Sequence, residues 1–184
     1  MKRVRRDEVV DFQTYTERRE SVRQSAQAAK GVRRVHVGEH LTFLFENAET
    51  MRYQVQEMMR VERIVREADI QHEIDTYNEL LGDSGELGCT LLVEIEDAAE
   101  RDVKLQRWLD LPEHLYAKLE DGTQVRATID ERQRSRGRLS SVQYLKFRTV
   151  GRVPVALGTD HPDLNIETVL SPETRAALRA DLDS

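Results

Sequence analysis

Short alternating runs of apolar and polar residues, joined by tight turns, constrain the fold of this chain more than any other feature. VRRVHVGEHLTFLFE predicts two strands around Gly38 and Glu39, and LYAKLEDGTQVRATI predicts a second hairpin that turns at Asp121 and Gly122. CTLLVEIE, SSVQYLKFRTV and RVPVAL each predict a further strand. The strands are joined by hairpins and isolated helices, without a regular βαβ repeat. We therefore expect an α+β fold with a mainly antiparallel sheet packed against helices.

Length and charge limit the number of domains and the classes of function. The 184 residues suit one domain, so residues 1–184 are expected to form a single α+β unit. The net charge of −6 argues against nucleic-acid binding, because phosphate binding needs a surplus of Lys and Arg. The single Cys89 cannot form an internal disulfide, and no apolar run is long enough for a signal peptide or a membrane span. We therefore expect a cytoplasmic protein that does not enter a membrane.

Helical patterns alternate with the predicted strands. A long central helix starts at a cap on Asn47 or Thr50 and is expected to be mostly buried. The predicted helices cover residues 6–30 with Asp7 as N-cap, the central helix up to about residue 68, residues 70–81 with Asp69 as N-cap, the run AAERDVKLQRWLDL before Pro112, and the run SPETRAALRADL with Ser171 as N-cap.

The central helix carries polar residues on a face that is otherwise apolar. At about 100° per residue, the apolar side chains of MRYQVQEMMRVERI and the residues after it cover about two-thirds of the circumference. Gln54, Glu57 and Glu62 fall within that arc. The next helix adds Glu73 on its inner face and Asn78 at its edge. The predicted buried polar cluster consists of Gln54, Glu57, Arg60, Glu62, Glu73 and Asn78.

Three interpretations of this cluster stay open. A buried carboxylate needs protonation, an arginine or lysine partner, or a metal ion. Arginines could neutralise the acids in a structural network, the acids could form a metal or acid–base site, or a partner protein could cover this face. The metal version would bind iron, manganese or zinc, although no Glu-x-x-His pair of the di-iron bundles is present. Its predicted ligands are Glu57, Glu62, Glu73 and His161.

Arginines alternate in the segment DERQRSRGRLSS. They could bind an anion, and a solvated loop is the alternative interpretation. The candidate anion-binding residues are Arg132, Arg134, Arg136 and Arg138.

Motifs of common enzyme classes are missing from the sequence. It has no Gly-x-Gly-x-x-Gly, no Walker loop, no His-Glu-x-x-His and no Gly-x-Ser-x-Gly. No organic cofactor and no catalytic residue is therefore predicted, and we lean towards a protein that is not an enzyme.

Several blocks of the sequence together resemble a known family. They are RRDEVVDFQTYTERRE, HLTFLFENAETMRYQVQEMMRVERI, EIDTYNELL, SSVQYLKF and DHP. These blocks resemble the bacterial family called domain of unknown function 3501. The resemblance implies no activity, but it implies an iron-linked redox or oxidative-stress setting with rubrerythrin-like or iron–sulfur proteins as partners. Gly82 stands where the family's Tyr-Asn segment runs on to a proline, and Gln143 stands where a histidine is expected.

These observations predict a non-catalytic accessory or binding protein in such a redox system. The alternative is a metal-binding protein or metalloenzyme that uses the carboxylate-rich site. Whether the chain forms a homo-oligomer stays open.

Overall fold

The computed structural model describes residues 2–130, 133 and 137–184, and an antiparallel sheet forms its centre. The strands are β1 (Arg34–Val37), β2 (Leu41–Phe45), β3 (Leu87–Val93), β4 (Leu115–Lys118), β5 (Gln124–Ile129), β6 (Val142–Phe147), β7 (Ala156–Thr159) and β8 (Ile166–Val169). The described strands lie in the order β1-β2-β3-β6-β5-β4-β7-β8 in one eight-stranded sheet. The edge strands β1 and β8 contact each other, so the sheet curls into nearly a closed barrel.

Helices surround this sheet, and the predicted α+β fold is confirmed. A short 3₁₀ turn at Arg6–Glu8 precedes the first α-helix. The α-helices are α1 (Phe12–Gly31), α2 (Ala48–Glu62), α3 (Glu67–Asn78), α4 (Ala98–Arg107), α5 (Leu111–His114) and α6 (Pro172–Leu182).

Apolar side chains fill the interior of the sheet. Alternate residues of each strand point inwards, as Phe43 and Phe45 of β2 and Phe147 of β6 do, and all three are fully buried. Their rings pack against one another in tilted arrangements. Leu105 of α4 and Leu178 of α6 belong to the same buried cluster, so these helices add to the core of the barrel.

A second apolar cluster lies in the helical layer. Met51, Val55 and Met59 of α2 pack with Ile70 and Ile74 of α3, and all of them are buried. Within each helix these residues are four positions apart, which places them on one helix face. This cluster holds α2 and α3 together on the outside of the barrel.

The central helix starts as predicted but ends early. Asn47 caps α2 by accepting a hydrogen bond from the Thr50 amide at 3.0 Å. The helix stops at Glu62 rather than near residue 68, because Arg63 takes a left-handed conformation with φ of 55°. The chain then turns, and Ile64 packs against the second apolar cluster. α3 therefore begins at Glu67, before the predicted start.

The first helix begins later than predicted. Asp11, and not Asp7, caps α1 by accepting hydrogen bonds from the amides of Gln13 and Thr14. The Gln56 side chain binds the backbone of Val10, since its Oε1 accepts from the Val10 amide at 2.9 Å and its Nε2 donates to the Val10 carbonyl at 3.1 Å. This contact keeps Val10 out of the helix.

Both hairpins were predicted from the sequence, whereas the last strand, β8, was not. β4 and β5 form the predicted hairpin with Gly122 at a φ of 84°. In the first hairpin Val37 pairs with Leu41, so the turn has three residues and not the two predicted. β8 was not predicted, because its side chains are mostly exposed on both faces and show no alternation.

Among the described helices, none has the length and apolar character needed to span a membrane.

A strained turn follows β6. The Arg152 amide donates to the Thr149 carbonyl at 3.1 Å, and the central residues Val150 and Gly151 have φ of 54° and 75°. A type I′ turn requires positive φ at both central positions, where asparagine followed by glycine is preferred. A β-branched residue with positive φ is strained, and Val150 is 75% exposed, so packing does not offset the strain.

We expect Val150→Asn to stabilise the protein by about 1 kcal/mol, because asparagine tolerates the left-handed conformation. Urea denaturation monitored by circular dichroism measures this change. Val169→Asn is the matched control, since Val169 is 76% exposed in a strand and should gain nothing. Equal effects of the two substitutions would contradict the strain at Val150.

Candidate functional site

Glu57, one of the predicted cluster residues, lies between α1 and α2 with three partners. Arg19 donates to it from Nε at 2.7 Å and from Nη2 at 3.0 Å. The Tyr15 hydroxyl donates at 2.6 Å, and Arg60 Nη2 lies 3.3 Å from the other carboxylate oxygen. Only 18% of the Glu57 side chain is exposed. Its negative charge is therefore neutralised by Arg19 from α1 and by Arg60 from its own helix.

These partners keep Glu57 ionised. The Arg19 guanidinium lowers the pKa of Glu57 to about 2, with smaller contributions from Tyr15 and Arg60. Burial raises the pKa of Tyr15, and its hydrogen bond to Glu57 adds to this effect. An acid with such a low pKa holds no proton to donate near neutral pH. Glu57 therefore serves to join the two helices electrostatically.

The other members of the predicted cluster have different surroundings. Glu62 is exposed, so its predicted burial is wrong. The helical wheel fails there because α2 ends at this residue. Gln54, Arg60 and Glu73 are half-buried. Asn78 is also half-buried, and its side chain binds both the amide and the carbonyl of Val4 at 2.9 Å.

The predicted metal ligands are not brought together. His161 is buried and contacts Asp110, Thr159 and Asp163. Glu57 lies elsewhere, and its polar side-chain contacts among the described residues are to α1 and α2. Glu62 is exposed. Within residues 2–130, 133 and 137–184, no group of three or more His, Cys, Asp or Glu side chains could hold a metal ion. The combination of Glu57, Glu62, Glu73 and His161 is therefore not one site in this structure.

His161 instead belongs to a chain of histidines and carboxylates around α5. The Asp163 amide donates to His161 Nδ1 at 3.1 Å, so Nε2 carries the proton towards Asp110 at 3.2 Å. Asp110 also lies 3.4 Å from His114, and His114 Nδ1 lies 3.0 Å from Asp160. Hydrogen bonds from Arg126 lower the pKa of Asp160 to about 2. These contacts fasten α5 to the end of β7.

The predicted anion site consists of four arginines. Arg132, Arg134 and Arg136 lie outside the described residues. Arg138 forms an ion pair with Asp102 of α4 at 3.1 Å.

Sequence reasoning missed a buried acid, Glu46, at the start of the helical layer. Glu46 is 3% exposed and accepts hydrogen bonds from the hydroxyls of Thr50 at 2.6 Å and Thr90 at 2.8 Å. Its position directly after a fully buried strand was a usable signal. Gln56 was also missed, because the wheel placed it on the polar face although it is buried.

Positive side chains lie near Glu46, but burial has the largest effect on its pKa. Burial raises the pKa of Glu46, against the effects of the two hydroxyls and of Lys30 and Arg33. Burial also lowers the pKa of Lys30. Arg33 is committed to a buried pair with Asp181, with its Nε 2.7 Å and its Nη2 2.9 Å from the carboxylate oxygens.

The outer surface contains a cleft of about 950 Å³ between α3 and the β5–β6 pair. Tyr144 and Lys146 lie two residues apart on the outer face of β6 and line this cleft. Lys146 has no acidic partner among the described residues. The cleft is also lined by Arg3, by the acids Asp75, Glu79 and Asp130, and by Asn78, Leu80 and Ile129.

We expect Glu57→Gln to lower the free energy of unfolding by about 1 kcal/mol at pH 7, because Arg19 loses its charged partner. The pKa of Glu57 is about 2 in the fold, below its usual 4.5, so its contribution is present above pH 4.5 and is lost as the pH falls towards 2. The difference in the free energy of unfolding between variant and wild type, measured by urea denaturation, should therefore be smaller at pH 3 than at pH 7. A difference that does not change with pH would contradict this role.

Glu46→Gln should show the opposite dependence. Because burial raises the pKa of Glu46, the folded state binds a proton more tightly than the unfolded state does. The wild type therefore loses stability as the pH rises above about 4.5, and the variant does not. Relative to the wild type, Glu46→Gln should gain stability between pH 4 and pH 7 in the same denaturation experiment. If the variant instead loses stability relative to the wild type between pH 4 and pH 7, the fold stabilises Glu46 as a carboxylate, which contradicts the prediction.

Comparisons with known proteins agree with this fold. A family model described as "Protein of unknown function (DUF3501)" matches residues 3–182. A crystal structure of a protein of unknown function from Burkholderia pseudomallei is 31% identical in sequence, with 99% of this chain and 100% of that chain covered and a TM-score of 0.89. No curated protein sequence matches the chain. The chain therefore belongs to the DUF3501 family of proteins of unknown function.

Proposed function

We propose that this protein is a non-catalytic accessory protein that binds a protein partner in the cleft between α3 and the β5–β6 pair. The observation that supports the proposal most is the cleft itself, with its volume of about 950 Å³ and its apolar walls at Ile129 and Tyr144. A recess of this size that combines apolar and polar groups is typical of a binding site.

Tyr144 and Lys146 indicate the chemistry of the partner. Tyr144 is 39% exposed and offers a rigid aromatic surface, which is a common anchor in protein interfaces. Lys146 presents an ammonium group beside it. The combination suits a partner segment in which an apolar side chain stands next to a carboxylate.

The redox part of the proposal is supported by the family resemblance. It implies a rubrerythrin-like or iron–sulfur protein as the partner, in an iron-linked redox or oxidative-stress system. A cytoplasmic location is part of the proposal, and it is supported by the single, buried Cys89. Glu57 takes no part in this function beyond holding α1 on α2.

We expect a rubrerythrin-like protein encoded in the same genome to bind in calorimetric titration, and Tyr144→Ala to weaken this binding about tenfold or more. Lys146→Glu should weaken it further at low salt, because the charge that attracts the partner is reversed. Val103→Ala is the control, since Val103 is 64% exposed on α4 and does not line the cleft.

The absence of binding to both the rubrerythrin-like and the iron–sulfur candidate would overturn the redox part of the proposal. Equal dissociation constants for Tyr144→Ala and Val103→Ala would overturn the cleft as the binding site.

A further inference from the structure

Burial alternates along β6 and in the residues directly after it. Between residues 142 and 150, the odd-numbered side chains are buried and the even-numbered side chains face outwards. Four successive outward residues form the surface that we call the β6 stripe, namely Tyr144, Lys146, Arg148 and Val150. The backbone of β6 pairs with β3 on one side and with β5 on the other. A molecule that binds the stripe must therefore contact its side chains.

The two central side chains of the β6 stripe are cations without an acidic partner. Neither Lys146 nor Arg148 forms an ion pair with an acidic side chain among the described residues. Arg126 of the neighbouring strand β5, by contrast, is paired with Asp160. Adjacent cations that the chain itself does not neutralise attract the carboxylates of a partner.

The β6 stripe ends at the strained residue Val150, and the turn around this residue is connected to the cleft. Backbone strain that local packing does not offset is concentrated at functional sites. The Gly151 amide donates to the Gly85 carbonyl at 3.2 Å. Asp83 of the same loop forms an ion pair with Arg3, which lines the cleft. The stripe therefore leads from the cleft to a turn that is joined to the cleft wall.

The acids of the cleft lie on other walls than the β6 stripe. Asp75 lies on α3, Glu79 follows α3, and Asp130 follows β5. In an extended segment, alternate side chains point to opposite sides. A segment that turns carboxylates towards the stripe therefore turns its intervening side chains towards α3, where basic groups complement the acids.

We propose that the partner segment in the cleft is extended and follows the β6 stripe, with apolar, acidic, acidic and apolar side chains at every second position. Side chains two residues apart in a strand are about 7 Å apart, and an extended segment repeats this spacing. The apolar ends contact Tyr144 and Val150, and the two carboxylates bind Lys146 and Arg148. This assignment rests on the proposed function, because the segment occupies the same cleft.

Two synthetic peptides of equal composition and no net charge test the order of these side chains. Ac-Leu-Lys-Glu-Ser-Glu-Lys-Leu-NH2 turns its acids towards the stripe, whereas Ac-Leu-Glu-Lys-Ser-Lys-Glu-Leu-NH2 exchanges acids and lysines. Each is titrated at low salt into isotope-labelled protein, while NMR follows the backbone amides of residues 144–150. We expect saturable shifts along the whole stripe with the first peptide and about tenfold weaker binding of the second.

Equal affinities of the two peptides, or no saturable binding of either, would overturn the proposal. Shifts at Tyr144 and Lys146 that do not extend to Arg148 and Val150 would confine the segment to the cleft and overturn its course along the stripe. If the rubrerythrin-like and iron–sulfur candidates both fail to bind, the redox partner of the proposed function is wrong, and the peptide comparison still decides this assignment.

Two variants give an independent readout with the first peptide. Arg148→Glu should weaken its binding about tenfold, whereas Arg18→Glu, the same charge change at an exposed position of α1 outside the cleft lining, should leave it unchanged. Val150→Asn should weaken binding about fivefold through the lost apolar contact, although it is expected to stabilise the fold. Unchanged affinity in Arg148→Glu or Val150→Asn would overturn the assignment. Self-association of the free protein in sedimentation, abolished by Arg148→Glu, would assign the stripe to a second copy instead.

Discussion

The buried carboxylate of Glu46 joins the two layers of this protein. It lies where β2 passes into α2, and it accepts hydrogen bonds from Thr50 of α2 and Thr90 of β3. The direction of α2 as it leaves the barrel is therefore fixed by a contact with the barrel wall. Arg33 and Asp181 form a buried ion pair at the same junction, and Asn47 donates to Asp181, which brings in α6. Buried polar groups that are bonded in this way specify one arrangement of their elements.

The direction of α2 determines the positions of the N-terminal segment, α1, α3 and the cleft. Its side chains Gln56 and Glu57 hold the N-terminal segment and α1. The left-handed Arg63 then turns the chain so that α3 packs against α2. The end of α3 stands apart from the outer face of β5 and β6, and the space between them is the cleft. The cleft is therefore a consequence of how the helical layer is fixed to the barrel.

Local patterns predicted the elements, whereas contacts distant in sequence decided which polar residues are buried. The helical wheel identified Glu57, because the period of 3.6 residues holds inside a helix. It failed at Glu62, because the helix ends there. It could not find Gln56 or Glu46, since their partners Val10 and Thr90 are 46 and 44 residues away along the chain. β8 gave no signal because an edge strand with both faces exposed has no apolar alternation.

Strand β6 connects the barrel core with the cleft. Phe147 is fully buried inside the barrel, whereas Tyr144 and Lys146 line the cleft outside. Consecutive residues of a strand face opposite sides of the sheet. The packing of β6 in the barrel core therefore holds Tyr144 and Lys146 in fixed positions for a partner segment in the cleft.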